Sequence, residues 1–155
     1  MEPDWQGAIA RAAAHAPFLA LLLERETEVA ALLREGRGED ALEAARAAGD
    51  SIEDTGVALR RERRALALAL AVGDLAGAFP LARVMSELSA FADRALNRAI
   101  AAAIRARVPG AEPLGMIALA LGKHGAGELN YSSDIDPILL YDPATLPRRE
   151  RDDPA

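Results

Sequence analysis

The longest regular signal in the chain is an apolar stripe in which Leu81, Val84, Met85, Leu88, Phe91, Ala95, Leu96, Ile100 and Ile104 recur at steps of three and four. That spacing places them along one face of a helix and predicts an amphipathic helix from Leu81 to about Arg107, closed by Pro109 and Gly110. Packing against the rest of the chain is the ordinary fate of such a face. Apolar residues make up 51% of the 155 residues and aromatics only 4%, so the core has to be built from alanine and leucine, which favours closely packed helices.

Helical reading extends upstream. After Pro17, Phe18, Leu22, Val29, Leu32 and Leu33 fall near one face, and Gly36 and Gly38 end the segment, so a single helix is expected there. A shorter helix covers about Glu39 to Ala48 and stops at Gly49. Asp50 and Ser51 offer N-caps for another that runs to about Val72, and Gly73, Gly77 and Pro80 mark a turn. The run Arg60, Arg61, Arg63, Arg64 covers all helix faces and reads as a solvated surface with Glu53, Asp54 and Glu62 as counter-charges.

Past Pro113 the pattern changes. Met116 to Leu121 and Ile138 to Tyr141 are short continuous apolar runs, as buried strands would be, and they flank a polar loop rich in glycine. A boundary near residues 109–114 therefore divides a helical domain, 1–110, from the opening strands of an α/β domain, 111–155. The tail from Pro147 to Ala155 has no apolar anchor and is expected to be loose at its end.

The chemistry concentrates between those strands. Asp134 and Asp136 are two apart, which in a strand puts both carboxylates on one face and Ile135 on the other, towards the core. Two like charges in one small volume call for a cation, and hard oxygen ligands suit Mg2+ or Mn2+. Gly122, Gly125 and Gly127 let the backbone approach a ligand closely, Ser132 and Ser133 add hydroxyl donors, and Lys123 offers a point charge for phosphate oxygens. Glu128 and Asn130 read as caps of the loop backbone. His124, beside a glycine turn, reads as exposed and is given no role, and His15 has none either.

A net charge of −6 works against nucleic acid as a partner and against anionic membranes. Glu2 and Asp4 replace the basic start of a leader, and Arg or Glu interrupts each candidate spanning segment, so a cytoplasmic chain is expected. Cysteine is absent, which excludes thiolate metal sites and disulfides.

The run Ala120-Leu121-Gly122-Lys123 through Gly125, then Glu128-Leu129-Asn130-Tyr131-Ser132-Ser133-Asp134-Ile135-Asp136 and on to Leu140-Tyr141-Asp142, closely resembles the bifunctional glutamine synthetase adenylyltransferase/adenylyl-removing enzymes. Upstream, Leu59-Arg60-Arg61-Glu62-Arg63-Arg64, Gly73-Asp74-Leu75 and Leu88-Ser89-Ala90-Phe91-Ala92-Asp93 resemble the helical region before that family's first catalytic domain. The resemblance implies a nucleotidyltransferase of the DNA polymerase β superfamily, and position near the N-terminus points to the adenylyl-removing unit. It implies phosphorolysis of an adenylyl-tyrosine on glutamine synthetase, with Asp134 and Asp136 as catalytic metal ligands, ADP or ATP and phosphate as substrates, and a PII-type signalling protein as a further partner. His124 and Pro137 stand where the family pattern has apolar residues, and Pro137 suits an edge or a bulge. The family's domain also needs a carboxylate on a later strand, for which Asp142, Asp152 and Asp153 are poor substitutes, so a truncated reading frame or fragment without turnover of its own is expected. Two other readings stand beside this one: a non-catalytic helical interaction module, and a nucleotidyltransferase acting on a different acceptor.

Overall fold

A computed structural model describes residues 2–149. Its elements are α1 (Trp5–His15), α2 (Pro17–Arg25), α3 (Thr27–Arg34), α4 (Gly38–Ala47), α5 (Thr55–Leu75), α6 (Leu81–Arg107), β1 (Met116–Leu119), α7 (Gly122–Gly125) and β2 (Ile138–Tyr141). The expected fold class holds: helices dominate, and the two strands form one small sheet. The chain divides into two compact units, Met1–Leu88 and Ser89–Ala155.

In the first unit α5 packs against α1, α2, α3 and α4. The reason lies in its sequence, where Ala58, Ala65, Leu66, Leu68, Ala69, Leu70 and Val72 are all buried. Alanines let neighbouring helices approach, and the leucines fill the space between them. Leu22, Leu33 and Leu42 complete this core from α2, α3 and α4. Trp5 closes one side by meeting Phe79 edge to face, with ring centroids 6.2 Å apart.

Three local expectations are corrected here. The segment after Pro17 is not one helix but two, α2 and α3, broken at Glu26 with φ −97° and ψ 63°. The break brings the buried Glu26 carboxylate to Arg61 and Arg64 of α5, with N–O distances of 3.9 and 3.4 Å. The arginine run is thus partly engaged, and Glu62, expected as a surface counter-charge, is only 2% exposed. The cap of α5 is Asp54, whose carboxylate accepts from Val57 N at 2.8 Å, in place of Asp50 or Ser51. Asp4 caps α1 in the same way, accepting from Gly7 N at 2.9 Å.

Helix α6 has the bounds its periodicity predicts, and Gly110 follows with φ +80°. Val84 and Ile104 of the stripe are buried, Leu88, Phe91 and Ile100 are half-buried, and Leu81 is exposed. In the second unit β1 and β2 pair antiparallel, with Met116 opposite Tyr141, Ile117 opposite Leu140, Ala118 opposite Leu139 and Leu119 opposite Ile138. The expectation of buried strands fails. Ile117, Leu119, Leu140 and Ile138 share one face of the pair and are 46–61% exposed. An apolar run is buried only where another layer covers it, and no described element covers this face.

Among the described residues no single helix is long and apolar enough to cross a membrane; α1 and α2 together pass by length and composition but are bent by 116°.

Candidate functional site

Between β1 and β2 the backbone takes a tight course. Gly122 adopts φ +55°, a left-handed conformation that side chains disfavour, and it opens the single helical turn α7. Gly125 is required for a different reason. A Cβ there would lie 2.6 Å from the carbonyl oxygen of Ala120, so this glycine serves a close approach of the chain to itself and not to a ligand. The turn is closed by hydrogen bonds from Ala126 N to Gly122 O at 3.0 Å and from Glu128 N to Lys123 O at 2.7 Å.

After the turn, Asn130 organises the backbone. Its Oδ1 accepts from Ser132 N at 3.1 Å and from Ser133 Oγ at 2.9 Å, while its own N–H donates to Ser133 Oγ at 3.1 Å. The cap role read for Asn130 fits this network. Both serine hydroxyls lean on Asn130 and so are less free to donate outward than the sequence suggests, with Ser132 Oγ 3.5 Å from Oδ1. Asp134 and Asp136 follow in irregular backbone and β2 begins only at Ile138, directly after Pro137. Pro137 explains the delay, since it has no N–H to give to a strand ladder. The expected placing of Ile135 in the core is also corrected, because it is 37% exposed.

One cleft of about 470 Å³ is lined by Leu121, Gly122, Lys123, Ser133, Asp134 and Asp136. Five of the eight residues singled out from the sequence as ligand-facing therefore face one volume, and Gly125, Gly127 and Ser132 do not line it. Lys123, Asp134 and Asp136 are exposed, so their charges are available to a ligand. A lysine and two carboxylates leave one negative charge in excess, which favours a cation that brings anionic groups with it. This donor set fits Mg2+, which is ordinarily held by one or two carboxylates together with substrate phosphates. Among the described residues no group of three or more histidine, aspartate or glutamate side chains comes together. Asp142 is occupied as a cap: the N–H of Ala144 and then the hydroxyl of Thr145 hold its carboxyl below the usual carboxylate range.

Sequence reasoning missed how this loop is held. His124 is buried, not exposed as expected, and its Nε2 lies 2.9 Å from Asp93 Oδ1 on α6. Leu129, also buried, donates its N–H to Ser89 Oγ at 3.3 Å. Ser89 and Asp93 are four apart on one helix face, a spacing visible in the sequence, but nothing local showed which loop would meet them.

The chain is thus mostly helical, with one small strand pair, and Lys123, Asp134 and Asp136 line one cleft. The family model for glutamate-ammonia ligase adenylyltransferase matches residues 7–154, and the chain belongs to that family. Similar proteins are the "bifunctional glutamine synthetase adenylyltransferase/adenylyl-removing enzyme" of Caulobacter vibrioides, 36% identical over 166 residues, and that of Xanthobacter autotrophicus, 42% identical over 118. The first match covers 96% of this chain and 17% of the relative, and the second 69% and 12%. A protein of the same name from Bradyrhizobium diazoefficiens is 40% identical over 129 residues, 76% of this chain and 12% of the relative. The chain thus spans less than a fifth of the length of these relatives. No solved structure matches it.

Proposed function

We propose that residues 111–155 are the start of an adenylyl-removing nucleotidyltransferase domain, carried behind the helical residues 1–110, and that the cleft at Lys123, Asp134 and Asp136 is where its phosphates and metal meet. The observation that carries this reading is the convergence of Gly122, Lys123, Ser133, Asp134 and Asp136 on one volume. Membership of the adenylyltransferase family and the names of the relatives support glutamine synthetase as the acceptor.

In the reaction, inorganic phosphate attacks the phosphorus of an adenylyl-tyrosine. The new P–O bond gives ADP, the bond to tyrosine oxygen breaks, and that oxygen takes a proton from solvent. Asp134 and Asp136 would hold Mg2+ or Mn2+, whose part is to neutralise charge building on the attacking and leaving oxygens. Lys123 holds phosphate oxygens as a point charge. Gly122, in its left-handed conformation, brings backbone rather than side chain to the cleft wall, leaving room for a phosphate. ADP or ATP and phosphate are thus the small-molecule ligands, the setting is cytoplasmic, and a PII-type protein is a further partner by resemblance alone. The net charge of −6 disfavours nucleic acid.

The test places this chain in the context of a full-length relative. This chain replaces the matching segment of the Caulobacter vibrioides relative, and phosphate-dependent release of ADP from adenylylated glutamine synthetase is followed. Asp134→Asn and Asp136→Asn should each lower the rate by about 100-fold or more, as loss of a metal ligand does. Retained activity in both variants overturns the assignment.

A further inference from the structure

His124 lies between Lys123 and Gly125 on the turn that borders the cleft, yet it does not line the cleft itself. Its side chain is only 2% exposed, and it reaches Asp93 of α6 at 2.9 Å through Nε2. A carboxylate accepts hydrogen bonds, so the ring proton sits on Nε2. The other nitrogen, Nδ1, is buried and has no hydrogen-bond partner among the described residues. A proton on Nδ1 would be a buried donor with nothing to receive it, whereas a bare lone pair there is the lesser penalty. Geometry at both nitrogens therefore selects the same tautomer.

The second anchor stands one helical turn earlier. Ser89, buried on α6, accepts from Leu129 N. His124 and Leu129 are the two buried residues of the stretch 121–132, and each is tied to α6 by one hydrogen bond. Within that stretch Lys123 is bound to the turn by its carbonyl, which accepts from Glu128 N at 2.7 Å. We propose that His124, acting through Asp93, is a positioning residue: it fixes on α6 the turn that presents Lys123 across the cleft from Asp134 and Asp136. The inference rests on the reading of that cleft as a metal and phosphate site.

The experiment is nuclear magnetic resonance on the full chain, labelled with ¹⁵N. His15 is the only other histidine, and His15→Gln assigns the ring signals. The wild type should show the His124 ring with its proton at Nε2. Asp93→Asn keeps an acceptor and should keep that signature, while Asp93→Ala should lose it and speed exchange of the Ala126 and Glu128 amides about tenfold. His124→Leu preserves apolar burial and should speed the same amides. With Mn2+ alone as the probe, wild-type and Asp93→Asn chains should show broadened Lys123 amide signals, and Asp93→Ala should lose this broadening while Asp134 and Asp136 keep theirs. A ring protonated at Nδ1, or unchanged exchange and broadening in Asp93→Ala and His124→Leu, overturns the proposal. Absence of Mn2+ broadening at Asp134 and Asp136 in the wild type overturns the metal reading of the cleft instead, and the ring and exchange measurements still decide the role of His124.

Discussion

Glu87 shows how a single side chain is tuned by opposing effects. Burial pushes its carboxyl up, while the guanidinium groups of Arg46 and then Arg83 pull it down, and the attraction prevails, leaving it below its ordinary value of 4.5. A carboxyl lowered on folding contributes stability that is present above pH 4.5 and lost as pH falls through the folded value. Glu87→Gln should therefore cost about 1–2 kcal/mol at pH 7, and urea denaturation should show the gap to the wild type closing as pH falls below 4.5. Gly125→Ala places a methyl group 2.6 Å from Ala120 O and should cost about 1–3 kcal/mol in the turn, read from faster exchange of the Ala126 amide. At this scale the sequence was informative where chemistry is local. Asp134, Asp136 and Lys123 could be picked out because their neighbours alone define the pattern, and Asn130 because its bonds reach only two or three residues. His124 could not, because its burial depends on Asp93, 31 residues away.

Helices were legible in proportion to their periodicity. α6 carries a sustained stripe and has the bounds that the stripe predicts, whereas the break at Glu26 pairs its carboxylate with Arg61 and Arg64 on another helix, a partnership that local periodicity does not report. Helix α1 is alanine-rich, with Ala8 and Ala12 its buried residues, so it offers little contrast between faces to read. The start of α5 was misplaced because Asp50, Ser51 and Asp54 are all competent caps, and only the backbone decides among them. Asp54→Ala should lower stability by about 1 kcal/mol, measured by thermal unfolding. Leu70→Ala, in the middle of the same helix and fully buried, should lower it by about 2–5 kcal/mol. A Leu70 variant no more damaging than the cap variant would contradict the central place of α5 in the first unit.

Across the whole chain, a helical first unit is followed by a second that holds a strand pair, one apolar face of which, with Ile117, Leu119, Ile138 and Leu140, remains open among the described residues. Continuous apolar runs located both strands, yet they misled on burial because a run reports what a strand can be packed against and not whether a layer is there. Leu140→Lys, on the face shared with Ile117, Ile138 and Leu119, should reduce binding of an apolar fluorescent dye without moving the unfolding of the helical unit. The proposed role of the cleft beside that sheet is phosphorolysis within a longer polypeptide. Its most direct test supplies radiolabelled inorganic phosphate and adenylylated glutamine synthetase to the chimera with the Caulobacter vibrioides relative. Label should enter ADP, and the double variant Asp134→Asn, Asp136→Asn should abolish its entry. Label entering ADP undiminished in the double variant, or AMP released with no label transferred, would contradict that role.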